Sequence, residues 1–161
     1  MPFSHANTLS EATKKIERYC AYRERCHKEV VSKLKEMHMI PEAIDQIVAH
    51  LISENYLNEE RFAKSFARGK FIIKKWGRNR IIRELKLRNI SRYNIQTALQ
   101  EIDEEDYQKT LDTLAKKRAG QLTGKSIQEK QKKLADYLLY RGWENQLVYD
   151  KIQTLLKEHH L

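Results

Sequence analysis

The apolar positions of this chain form one pattern written three times. Val30, Leu34, Met39, Ile44, Val48 and Leu51 return as Ile81, Leu85, Ile90, Ile95, Leu99 and Ile102, and again as Leu134, Leu138, Trp143, Val148, Ile152 and Leu155. The first set maps onto the second by one constant step, and onto the third by nearly that step again. No segment shows strand alternation of any length. One supersecondary unit is therefore used three times, and arrays of such units mostly bind extended partners.

Cap and breaker residues divide the pattern into nine helices. Thr8 to Glu11 reads as a capping box, in which a hydroxyl and a carboxylate satisfy orphan amides at a helix start. A first helix runs to about Tyr22 with Ile16, Tyr19 and Cys20 on one face; a second spans about His27 to Glu36. Pro41 suits the first turn of a third, where its missing N–H would be unpaired anyway. Asn58 is the N-cap of a fourth, which places Phe62, Phe66 and Ile73 on one face and is predicted to close at Trp76-Gly77, glycine supplying the left-handed residue. Arg78 to Arg88 forms the fifth and Ser91 caps the sixth. The acids Asp103 to Asp106 open the seventh, where negative charge complements the helix dipole, and Tyr107, Leu111 and Leu114 form its core face. Gly120 to Gly124 is the expected loop, Ser126 with Glu129 a second capping box, and Arg141-Gly142-Trp143 the turn into the last helix. The expected fold is all-α: three tandem three-helix, helix-turn-helix-like repeats in an elongated curved array. Its expected divisions are a disordered 1–8, repeats at 9–57 and 58–102, and a third at 103–161.

Charge sharpens the picture. The formal net charge is +9, but it is not spread evenly. Between Arg61 and Arg92 stand twelve cations and one acid, Glu84, a net +11, so the rest of the chain is slightly acidic. Ordinary surfaces mix signs, and a concentrated cationic field argues for a polyanionic or acidic partner. The apolar helix sides face inward, which turns these cations outward together. Arg68, Lys70, Lys74, Lys75, Arg78, Arg80, Arg83 and Lys86 are the candidate partner- or DNA-binding residues. Trp76, set among Lys74, Lys75 and Arg78, is either packing or an anchor that stacks on a base or fits a protein groove. Trp143, on the repeating skeleton, reads as packing.

The search for catalytic chemistry is nearly empty. The six histidines show no metal-ligand spacing, and Cys20 and Cys26 form neither a CxxC pair nor a disulfide framework. No Gly-rich phosphate loop, nucleophile elbow or kinase signature occurs. The chain carries no apolar signal region and no run long enough to span a bilayer, so the expected setting is the cytoplasm.

The run Asn55-Tyr56-Leu57-Asn58-Glu59-Glu60-Arg61-Phe62-Ala63, then Trp76-Gly77-Arg78-Asn79-Arg80-Ile81 and Arg83-Glu84-Leu85, resembles the central signature of the bacterial RecX family. The stretches Arg25 to Leu34 and Tyr137-Leu138-Leu139-Tyr140-Arg141-Gly142-Trp143 resemble the family in the first and third units, so the likeness covers about Ile16 to Leu156. The chain departs from the usual pattern at His27, at Asn58, which still caps a helix, and at Asn89, which tolerates the left-handed conformation where glycine is common. The resemblance implies a negative modulator of the RecA recombinase. Such a protein binds the RecA–DNA filament in its groove or at its end and damps recombination, ATP hydrolysis and co-protease activity, in DNA repair and the SOS response. It implies no catalytic residue, no cofactor and no metal, and weaker binding to single- or double-stranded DNA alone. Nothing resembling a heptad seam suggests a dimer, so a monomer is expected. Two rivals stay open: a basic DNA-binding protein that competes for DNA without specific RecA contact, and a scaffold for another acidic protein.

Overall fold

The structure, a computed structural model, describes residues 7–161. Most of the expected disordered segment 1–8 lies outside the described residues; Asn7 and Thr8 lead directly into the first helix. The described residues form nine α-helices and no strand: α1 (Leu9–Tyr22), α2 (His27–Glu36), α3 (Pro41–Ser53), α4 (Glu59–Lys74), α5 (Arg78–Leu87), α6 (Arg92–Leu99), α7 (Glu104–Gln121), α8 (Ile127–Tyr140) and α9 (Asn145–Lys157). Helix starts follow the cap chemistry. Side chains of Thr8, Asn58, Ser91, Asp103 and Ser126 each accept the backbone N–H three residues on.

All the extensive helix–helix contacts lie within the groups α1–α3, α4–α6 and α7–α9, with α4 against α6 the largest. The repeated skeleton supplies these contacts. Fifteen of its eighteen residues are buried, and Met39, Val48 and Leu99 are partly so. The three units also share one helix ending. His38, Asn89 and Gly142 take positive φ (62°, 59° and 93°), and the next residue's N–H returns to a leucine carbonyl five residues back. These bonds are Met39 to Leu34, Ile90 to Leu85 and Trp143 to Leu138, at 3.1, 3.1 and 3.2 Å. Each is a Schellman closure in which the bonded pair is also an apolar contact, so cap and core are fixed by the same two residues.

Three expectations change. The left-handed residue that closes α4 is Lys75 (φ 59°), not Gly77, whose φ of −80° any residue could adopt. Gly77 is required by space instead: a Cβ there would stand 2.5 Å from the backbone of Gly142 and Trp143. Ile73 points to solvent, 75% exposed, and the buried face of α4 is Phe62, Ala63, Ala67 and Phe71. α7 runs through Gly120 to Gln121, because Ala115 and Ala119 continue its buried stripe.

Two cores result. One belongs to the first unit and is built from Ala12, Ile16, Val30, Leu34, Ile44, Ile47 and Leu51 with their neighbours. The other runs without a break through the second and third units, from Phe62 and Phe71 through Tyr107 and Trp143 to Leu155, and takes in Cys26 from the first. The cationic middle unit is thus carried on a two-unit body.

Candidate partner interface

The cations of the middle unit fall into two groups that their residue types do not distinguish. Arg61, Lys64, Arg68, Arg78 and Arg88 are paired with carboxylates of the chain. Arg61 meets Glu24 at 2.6 Å, Lys64 meets Glu60 at 3.2 Å, and Arg68 meets Glu101 at 3.3 Å. Arg78 pairs with Glu104 and with Glu144, and Arg88 meets Glu84 at 3.0 Å. Lys70, Lys74, Lys75, Arg80, Arg83, Lys86 and Arg92 have no ion pair and no side-chain hydrogen bond among the described residues. Glu84, the one acid of this stretch, is occupied by Arg88. Six of the eight candidate cations, and Arg92 with them, therefore have no counter-charge among the described residues. Arg68 and Arg78 are neutralised internally.

Arg78 shows what neutralisation serves. Its guanidinium stacks on the Tyr107 ring, 3.8 Å from the centroid, and bridges Glu104 and Glu144 from the third unit. Burial works against its charge, but the bonds to the two carboxylates outweigh that, and Arg78 is held above even the ordinary arginine value. The Tyr107 hydroxyl accepts the Arg78 N–H at 2.9 Å and donates to Glu144. Burial and then that carboxylate push the phenol's ionisation well upward. Two more amides of the α5 start are met from the third unit too: Gly77 N–H by the Arg141 carbonyl at 2.8 Å and Asn79 N–H by the Gly142 carbonyl at 2.9 Å. The fully buried Trp143 lies 4.5 Å from the Tyr107 ring and donates its indole N–H to the Lys75 carbonyl at 3.2 Å.

Two of the unpaired cations, Lys70 and Arg80, lie against aromatic rings. Lys70 sits over the Phe66 and Trp76 rings at 5.5 and 5.1 Å. Its ammonium is drawn below the usual lysine range by burial first, then by Lys74, Arg88 and Arg23. Half-buried Trp76 also packs edge-on against Phe66, 6.3 Å between centroids, and carries the Arg80 guanidinium at 4.3 Å. Trp76 is thus both packing and part of the cationic face. The sequence left Tyr140 unassigned: it is 69% exposed and lies under the same Arg80 at 4.9 Å. Its place in the Tyr140-Arg141-Gly142-Trp143 turn was the available signal.

Among the described residues no group of three or more His, Cys, Asp or Glu is placed to hold a metal ion. No helix among them is long and apolar enough to cross a membrane. The arrangement defines an all-α tandem-repeat protein whose second unit carries uncompensated positive charge.

Comparison with known proteins gives this class its family. The family model described as RecX, second three-helix domain, matches residues 58–99, and RecX, third three-helix domain, matches 104–152. The regulatory protein RecX of Streptococcus agalactiae serotype V is 29% identical over 138 residues, 85% of this chain and 52% of its own length. That of Leuconostoc mesenteroides is 24% identical over 153 residues, 93% of this chain and 57% of its own. The crystal structure of RecX from Lactobacillus salivarius matches with a TM-score of 0.79 at 26% identity, over 91% of this chain and 96% of that one. A further crystal structure of a regulatory protein RecX, 22% identical with a TM-score of 0.81, shares the fold. The chain belongs to the RecX family, whose matched members are named regulatory proteins. It spans about half the length of the curated relatives it matches.

Proposed function

We propose that this chain is a negative modulator of the RecA recombinase. It binds the RecA–DNA filament, in the groove or at an end, and damps recombination, ATP hydrolysis and co-protease activity. It acts in the cytoplasm as a monomer, by binding and not by catalysis. The observation that carries this reading is the block of unpaired cations, Lys70, Lys74, Lys75, Arg80, Arg83 and Lys86, on the body formed by the second and third units. A field of this sign suits a surface built of phosphates and carboxylates, and its contribution to binding falls with salt as counterions are released. A repeat array that touches several protomers of a polymer also gains by linking those contacts.

The deciding measurement is RecA's single-stranded-DNA-dependent ATP hydrolysis, titrated with this protein. The expected result is loss of activity at well under one molecule per RecA. An effect only at excess, tracking the protein's own affinity for naked DNA, would favour simple competition for the strand. No effect at any ratio would remove the modulator reading and leave a scaffold for another acidic partner. Charge reversal at Lys74, Arg83 and Lys86 together is expected to abolish most of the inhibition at physiological salt, since all three are exposed and unpaired.

A further inference from the structure

Arg80 is the anomaly of the cationic field. Unlike Lys74 or Lys86 it is half-buried, and unlike Arg78 it has no acceptor at all. Its Nε is buried without a hydrogen-bond partner, while its Nη nitrogens have no partner and are not buried. Leaving a donor unpaired in this way costs free energy, and the guanidinium is held against that cost by two rings, Trp76 and Tyr140. The two rings come from different units. They meet because Gly142 lacks a side chain: a Cβ there would run into the backbone N and Cβ of Arg80. A guanidinium stacked on aromatic faces and presenting free N–H groups is pre-oriented for a planar pair of anionic oxygens, and little side-chain freedom is lost when they arrive.

We propose that Arg80, Trp76 and Tyr140 form a composite site for a phosphodiester of single-stranded nucleic acid, with Arg80 as the bidentate phosphate ligand and the open face of Tyr140 as a stacking platform for the adjoining base. The proposal rests on the reading of the cationic face as the binding surface, and it names the chemistry bound there. The choice of nucleic acid over an acidic peptide comes from what continues the site. Arg83 and Lys86 follow Arg80 at successive three-residue steps along α5, both exposed and unpaired. Each step is about 4.5 Å of rise with a swing of about 60° around the helix, about 9 Å of rise in all. A row of cations beside an exposed ring matches a repeating anion with flat bases, the pattern of single-strand binding surfaces, whereas an isolated carboxylate would use one member of the row.

The test is fluorescence anisotropy of the full chain with a labelled oligothymidylate, over a salt series starting low. The variants are Arg80→Lys, Tyr140→Ala and Tyr140→Phe, with Lys132→Ala on the exposed side of α8 as the control for charge lost elsewhere. Arg80→Lys and Tyr140→Ala are each expected to weaken binding by about tenfold. Tyr140→Phe and Lys132→Ala should stay within about twofold. Because neither weakened variant changes the charge, the slope of log affinity against log salt is expected to be unaltered in both. Arg83→Gln, which removes one phosphate contact, is expected to lower that slope by about 0.7. A merely structural role would move the melting temperature and leave that split unseen. No binding by the wild type at low salt would overturn the site, as would wild-type affinity in both Arg80→Lys and Tyr140→Ala. RecA inhibition lost in these variants with oligonucleotide binding intact would also overturn it, by pointing to protein carboxylates. Wild-type protein that binds the oligonucleotide through these residues yet leaves RecA hydrolysis unchanged would uphold the site and defeat only the modulator reading.

Discussion

The two seams of this molecule are built on opposite principles. Between the first and second units, besides Cys26 buried in the neighbouring core, the hydrogen bonds and ion pairs run through side chains. Arg61 reaches Glu24 at 2.6 Å and the Asn55 carbonyl at 3.0 Å, His27 faces Glu59 at 3.1 Å, and Lys28 reaches the Leu87 carbonyl at 2.8 Å. Most of these groups touch solvent, and exposed pairs of this kind contribute little each. Between the second and third units the backbones themselves meet at Gly77 and Gly142, the second unit donates backbone hydrogen bonds to the third, and Trp143 and Tyr107 are enclosed in a continuous core. The difference shows where rigidity is placed. The cationic face and the Arg80 cluster depend on side chains from both sides of the second seam, so that seam holds them in register. The first unit is held by bonds that salt and pH can loosen.

The largest effect should come from breaking the rigid seam. Gly142→Ala places a Cβ on Arg80 and forces φ 93° on a residue that disfavours it. The expected loss is about 3 kcal/mol or more, with a lower urea midpoint and, if the second and third units separate, a shallower transition. Gly77→Ala is expected to cost nearly as much by collision alone, since its φ is unstrained. Tyr107→Phe comes next. It removes the hydroxyl that joins the Arg78 N–H to the Glu144 carboxylate and leaves both short of a partner, at about 2 kcal/mol. Equal stability of Tyr107→Phe and wild type in urea would show that water replaces this link and that the seam is held by packing.

Much of this architecture was legible in the chain. The repeated skeleton located the second and third helices of every unit, because a helix that must hide one face has little freedom in where its apolar residues stand, whereas the first helix of each unit, with buried Ala12, Ala63, Ala67, Ala115 and Ala119, lies outside it. Caps were legible for the same local reason: Asn58 and Ser91 act on amides three residues away. What could not be read was set by contacts between units. Gly77 looked like a helix stop because glycine often is one, but its missing side chain is used across the seam, and Lys75 takes the strained turn. Arg78 and Arg80 are alike in sequence. One meets two carboxylates of the third unit and the other meets only rings, a distinction created by the way Gly142 docks. The resemblance to the family was carried by the very stretches, Trp76 to Ile81 and Tyr137 to Trp143, that meet at this seam.

A smaller effect is expected at the first seam. Arg61→Met removes four hydrogen bonds, to Glu24, to the Asn55 side chain and carbonyl, and to the Tyr56 carbonyl. The groups are partly in water, so the expected cost is only about 1 kcal/mol. Its signature should be local, not global: added salt should destabilise the wild type more than the variant, and the urea transition of the second and third units should barely move. A loss as large as that of Gly142→Ala would mean the seams do not differ in kind.

The two thiols give the finest test, because each reports one core. Cys20 is buried in the first unit's core, and Cys26, though it caps α2, is buried in the core of the other two. Burial pushes both thiols up to about 11 from the usual value near 9. Between those values the native state keeps protons that the unfolded chain has released. Stability contributed by the protonated thiols is therefore complete below about pH 9 and falls as pH rises toward 11. At neutral pH neither thiol should react with a disulfide reagent except through opening, since the thiolate is the nucleophile. If the first seam is the looser one, Cys26, a first-unit residue buried in the core of the other two, should be labelled faster than Cys20 as that seam opens, and Arg61→Met should speed labelling of Cys26 more than that of Cys20. Equal labelling rates that rise together in the variant would mean that all three units open as one, and the contrast between the seams would be one of chemistry without a difference in motion.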